Sequence, residues 1–255
     1  MRLSLPATGL VLLLASCAAP PPPTPMTAAE ADAKARAALA GNHKQEALDD
    51  FLIAAHLGDT EGELGLGSMY FTGNGVVRDF TEASNWLLPA AQAGSSAAQY
   101  MLGLINTTGG TGISRNPKIA ADYFRRAAEQ GHVDASYRLG RAYNFGLGVP
   151  NDYGAALHWY EQAANGGNTD AITAIGVLYA QGRGVKQDFN RALAQFQRAA
   201  ALGNGEAMLR IGNLYFNGDG VKHNDTIAYE WLRRAAAAGN EDAARRMAMI
   251  DLPAP

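Results

Sequence analysis

The sequence predicts an all-α protein, an α-solenoid of stacked helical hairpins, and three observations carry that reading. One composite pattern recurs five times at near-constant spacing, each copy divides into two segments with helical periodicity, and a pair of glycines separates the two. A period of this length marks a supersecondary unit that buries its apolar face only against its neighbours.

The pattern reads A-x-x-x-L-G-x-x-Y, then G-x-G-V, an Asp, A-x-x-W, A-A and a final Gly. The glycine after the Leu or Ile falls at Gly67, Gly103, Gly140, Gly176 and Gly212, steps of 36, 37, 36 and 36 residues. In the third copy Ala135, Leu139, Ala142 and Tyr143 lie at i, i+4, i+7 and i+8, one face of a helix. Gly146 and Gly148 end that helix, because glycine enters the left-handed region without strain. Asp79, Asp152, Asp188 and Asn224 are placed to cap the second helices, and Glu82 is spaced to close a capping box with Asp79. Ala163-Ala164 and its equivalents allow close helix approach. Trp159 and Trp231 are assigned to the space between hairpins, and the recurring Tyr70, Tyr143, Tyr179 and Tyr215 to the core. The second copy is degenerate: Asn106 replaces the tyrosine and its turn is one residue longer.

These residues resemble the Sel-one-like repeat, a relative of the tetratricopeptide repeat, over residues 60–239. The resemblance implies a right-handed superhelix, with repeats at 60–94, 95–131 (the degenerate one), 132–167, 168–203 and 204–239. Residues 28–59 resemble a shorter tetratricopeptide-like hairpin, and 240–255 a capping helix and tail, with Ala243, Met247 and Ile250 inward. Family resemblance implies a scaffold that binds a protein or peptide on its concave face, in envelope assembly or secretion. A narrower reading is an immunity protein against a type VI secretion lipase. An enzyme acting on β-lactams or peptidoglycan is a further alternative. The relatives described as binding or hydrolysing β-lactams carry a cysteine pair per repeat, and this chain has one cysteine in all, Cys17.

A lone cysteine is ordinarily a small buried hydrophobe, but the position of Cys17 says otherwise. Met1-Arg2 and the mostly apolar Leu3–Leu14, too short to span a bilayer, read as a signal peptide over residues 1–16. The following Leu14-Ala15-Ser16-Cys17 resembles the bacterial lipoprotein box, which makes Cys17 the acylated first residue of the mature chain. Ala18 after it, rather than Asp, implies the outer membrane, facing the periplasm. Residues 17–27 form a proline-rich tether, and Ala18–Pro25 reaches about 25 Å at ~3.1 Å per residue.

The formal charge is −3, and −4 once the segment holding Arg2 is removed, so nucleic acid is not an expected partner. The five histidines lie at non-equivalent positions of different hairpins, and no G-x-S-x-G elbow or G-K-[ST] follows any turn. The chain is therefore read as a monomeric body with no catalytic residue, metal or cofactor. On the first helices, positions two, three and six after the leading alanine point away from the packed face. They are apolar, aromatic or arginine at Leu64, Tyr100, Met101, Leu104, Tyr137, Arg138, Arg141, Val177, Leu209 and Arg210. Residues of these types are enriched at interfaces. Two readings stand: a partner-binding groove centred on Tyr100, Leu104, Tyr137, Arg138 and Arg141, or packing against the next repeat's first helix.

Overall fold

The computed structural model describes residues 25–249, so Cys17, the signal segment, most of the tether and Ile250 lie outside the described residues. The helices are α1 (Ala28–Ala40), α2 (Lys44–His56), α3 (Thr60–Thr72), α4 (Phe80–Gln92), α5 (Ser96–Thr108), α6 (Pro117–Glu129) and α7 (Val133–Phe145). They continue with α8 (Tyr153–Asn165), α9 (Thr169–Gln181), α10 (Phe189–Ala201), α11 (Gly205–Asn217), α12 (Asp225–Ala237) and α13 (Glu241–Met249). Among the described residues no strand forms; the extra turn residue of the second repeat is accommodated by an isolated bridge between Gly110 and Ile113. No described helix is long and apolar enough to cross a membrane.

Consecutive helices pack as hairpins, and each hairpin packs on the next through its second helix and the following first helix. The turns follow from glycine: Gly73, Gly146, Gly182 and Gly218 end first helices at φ between 65 and 78°, where a Cβ would be strained. Asp79, Asp152, Asp188 and Asn224 then accept amide hydrogens from the first turn of α4, α8, α10 and α12. Glu82 does not close a capping box with Asp79. The Asp79 amide already donates to the Tyr70 carbonyl at 3.0 Å, and the same bond recurs from Asp152 to Tyr143, Asp188 to Tyr179 and Asn224 to Tyr215. The box forms instead at Thr27 and Glu30, where α1 begins.

The packing departs from the sequence expectation at the repeat tyrosines. The repeat tyrosines are half-buried at the margin of the core. Trp159 is half-buried and packs against the α6–α7 cluster, which includes the preceding hairpin, while the deep filler inside each hairpin is the residue after the tryptophan position: Tyr160 and Leu232, with Leu87, Phe124 and Phe196 in the other repeats. Each filler sits four residues after the motif alanine and faces the motif glycine of its own hairpin. A Cβ on Gly103 or Gly176 would stand 2.5 Å from the ring of Phe124 or Phe196. The glycine is the hole for the aromatic knob.

A second cap series joins the repeats. Asn168, Asn204 and Asn240 each accept an amide hydrogen of the first helix they open, from Ala171, Ala207 and Ala243. Each also donates its side-chain amide backward, to Asp134, Asp170 and Glu206 of the preceding first helix, at 3.0, 2.8 and 3.1 Å. At α13 the stack buries Ala243 and half-buries Met247, leaving Glu241, Asp242, Arg245 and Arg246 exposed.

Candidate protein-binding groove

The first helices α7, α9 and α11 bring their equivalent faces to one concavity of about 400 Å³. Tyr137 and Arg141 line it from α7, Asp170 and Val177 from α9, and Glu206 and Arg210 from α11. The Arg141 guanidinium lies 6.0 Å from the ring centres of both Tyr137 and Phe145, within cation–π range. Arg210 is paired with Glu206 at 2.8 Å, so its charge is balanced within its own helix. Tyr137 packs on Tyr160 with ring centres 5.9 Å apart. Burial pushes both phenols above their ordinary pKa, helped by Asp170 at Tyr137 and by Tyr137 at Tyr160, so both stay neutral donors at physiological pH. Phe145 is 58% exposed beside them, a groove residue that the position count from alanine missed and that its place four residues after Arg141 would have flagged.

The other expected residues divide between two sites and the interior. Leu64 and Met101 line a separate concavity of about 250 Å³ with Arg36, Leu39 and Ser68. Arg36 there is tied to Asp32 and Glu61 at 2.8 and 2.6 Å. Arg138 and Arg141 line a third, of about 110 Å³, between α6 and α7. Tyr100 does not present a free face: its ring stacks on His132 at 4.5 Å and meets Phe124 at 6.0 Å. Leu104 is half-buried against the same hairpin. Leu209 is 4% exposed and belongs to the core.

The reason is the register between hairpins. The position two after alanine meets the residue that opens the next first helix. Tyr100 meets His132 in this way, and Thr173 donates its hydroxyl to Asn204 at 3.2 Å. Of this column Tyr137 and the buried Thr173 line the concavity shared by α7, α9 and α11, and Leu64 lines the separate one. Among the described residues no three His, Cys, Asp or Glu side chains converge as a metal site requires.

The family model described as the Sel1 repeat matches residues 60–95, 96–132, 133–168, 169–204 and 205–240. The crystal structure of a Sel1 repeat protein from Oxalobacter formigenes superposes with a TM-score of 0.80 and 31% identity, covering 85% of this chain and 86% of that one. That of c5321, a protective antigen of uropathogenic Escherichia coli with an SLR fold, gives 0.79 and 29%, covering 87% of this chain and 48% of that one. Chitin synthase regulatory factor 3 of Schizosaccharomyces pombe is 38% identical over 81 residues, 31% of this chain, and the matched part is 9% of its length. The five matched repeats and the shared fold agree, and the chain belongs to the Sel1 repeat family.

Proposed function

We propose that the protein is a non-catalytic binding scaffold that takes a protein partner on the face lined by its first helices. The observation that supports this most is the concavity shared by α7, α9 and α11. It combines an exposed aromatic, Phe145, a cation with no carboxylate partner among the described residues, Arg141, and an apolar floor at Val177. Exposed aromatic and arginine side chains grouped in one depression are the composition of an interface centre. Acylated Cys17 and the proline-rich tether hold this body to the envelope membrane, in our reading the outer membrane on its periplasmic side, as a monomer.

The test is affinity capture from envelope membranes, parent against the pair Arg141→Glu with Val177→Glu. Neither side chain is fully buried, so the helical circular dichroism and melting temperature are expected to stay near the parent's. Loss of the captured partner supports the groove, and full retention places the interface elsewhere. The partner's identity then separates an assembly or secretion role from toxin neutralisation.

A further inference from the structure

The pocket between α6 and α7 is built unlike the rest of the surface. Its walls are apolar: Ala120, Ala121 and Phe124 of α6, Ala142 of α7, and Leu147 of the following turn. Its rim carries three arginines, Arg115, Arg138 and Arg141. Among the described residues none of the three forms a salt bridge. Arg115 donates its Nε to the Thr107 carbonyl at 3.0 Å, a bond that positions the guanidinium and leaves its two terminal nitrogens unspent. The pocket adjoins the one repeat of five whose motif tyrosine is replaced, by Asn106, and whose lengthened turn supplies Arg115.

Three unbalanced guanidiniums around an apolar cleft call for an anion attached directly to an aliphatic group. The volume chooses among such groups. A cavity of about 150 Å³ admits a benzene ring, so about 110 Å³ takes a side chain of four or five carbons and not a long acyl chain. In a C-terminal leucine or isoleucine residue, carboxylate and side chain hang from one Cα, and a single residue satisfies rim and walls together.

We propose that this pocket receives the free C-terminus of a protein chain ending in an aliphatic residue, with Arg115, Arg138 and Arg141 holding the carboxylate. The proposal rests on the partner-binding reading and deepens it, since Arg141 lines both this pocket and the groove.

The test uses the full chain in lipid nanodiscs and a fluorescein-labelled peptide Gly-Ser-Gly-Ala-Leu, as free acid and as C-terminal amide, read by anisotropy. The free acid is expected to bind, with the amide weaker by about tenfold or more, the cost of removing a charge-assisted anchor. Arg115→Gln and Arg138→Gln are each expected to weaken the acid by a similar factor. Arg78→Gln, which removes a cation above the Phe80 ring and away from this pocket, serves as the charge control and is expected to change nothing. Equal binding of acid and amide, or no binding of either, overturns the proposal. So does displacement by decanoate without displacement by N-acetyl-leucine, which assigns the pocket to a lipid. Should an arginine variant misfold, the acid–amide comparison on the parent chain still decides. If the parent chain shows no acid-specific peptide binding while Arg141→Glu with Val177→Glu abolishes partner capture, this pocket is rejected and the groove stands; if the parent chain binds the acid specifically while that pair leaves capture intact, the pocket stands and the groove is rejected.

Discussion

A Cβ built on Gly140 would lie 2.6 Å from Cδ1 of Tyr160, inside any real carbon–carbon contact. The pairing repeats down the stack as Gly67 with Leu87, Gly103 with Phe124 and Gly176 with Phe196. At Gly212 the fit is looser, with the nearest Leu232 carbon at 3.3 Å and the Ala228 carbonyl oxygen at 3.1 Å. Alanine at a helix interior gains about 1 kcal/mol over glycine, while overpacking a filled site costs about 1–3 kcal/mol. Gly140→Ala and Gly176→Ala are therefore expected to destabilise, and Gly212→Ala to be close to neutral. Urea denaturation of the three variants checks the order; equal effects would mean that helix propensity, not the knob, sets the glycine.

Gly146 isolates the backbone effect. Its φ is 68°, and a Cβ there would meet nothing closer than 3.7 Å, so only the left-handed conformation resists a side chain. Gly146→Val is expected to cost about 1–2 kcal/mol, and Gly146→Asn clearly less, since asparagine visits that region readily. Thermal melts that rank asparagine with valine would refute the conformational account.

His132 opens α7 through Nδ1, which accepts from the Ala135 amide at 3.3 Å and so requires the neutral ring with its proton on Nε2. Burial lowers its pKa from the ordinary value, the nearby Asp134 only partly opposing this. The unfolded chain therefore takes up the proton first. The contribution of His132 is complete above pH ~6.5, declines as pH falls from there toward the lower folded pKa, and is flat below it. His132→Asn places there the cap residue of the two repeats that follow. The difference in melting temperature between this variant and the parent, followed from about pH 7.5 down to 5.5, is expected to grow in favour of asparagine. A constant difference excludes the titration.

The helical hairpins, their glycine turns and the caps of the second helices were legible because each is a local demand of backbone geometry, repeated at a fixed period. The core fillers carried a signal too, since Tyr160 lies four residues after Ala156 and shares its face. The caps of the first helices carried a signal as well: Asp59, Ser95, His132, Asn168, Asn204 and Asn240 each follow a repeat-ending glycine. The groove was less legible. The angle of Tyr100, Tyr137, Thr173 and Leu209 around their helices is the same, and only the seat of the next hairpin decides which of them meets solvent. That seat depends on the Asn204–Asp170 and Tyr100–His132 contacts, which join residues 34 and 32 apart.

Cys17→Ser removes the thiol that acylation needs, so incorporation of a fatty-acid analogue into the protein is expected to vanish and the chain to keep its leader. More than one acyl chain is needed for stable attachment at about 0.8 kcal/mol per buried methylene, so the variant is also expected to leave the membrane-bound lipoprotein pool. Unchanged labelling would end the lipoprotein reading.

Asn204 tests how the repeats hold one another. Its Oδ1 accepts from the Ala207 amide at 2.9 Å and from the Thr173 hydroxyl at 3.2 Å. Its Nδ2 donates to Asp170 at 2.8 Å and to the Thr169 hydroxyl at 3.3 Å. Asp188, by contrast, spends its side-chain cap hydrogen bond on its own helix. Removing an ordinary cap costs about 1 kcal/mol, and the lost inter-repeat bonds add about 1 kcal/mol more. Asn204→Ala is therefore expected to destabilise about twice as much as Asp188→Ala. Because stability in a solenoid is shared between each unit and its interfaces, the alanine at 204 should also broaden the urea transition, as the repeat at 205–240 uncouples from those before it. Asn204→Asp separates the two roles. The carboxylate keeps the cap toward Ala207 but faces Asp170, where an amide donor stood. Its penalty is expected to be largest at neutral pH and to shrink as pH falls through the carboxylate range near 4. If Asn204→Asp matches the parent at neutral pH, the backward bond to Asp170 contributes nothing and the repeats are held by apolar packing alone.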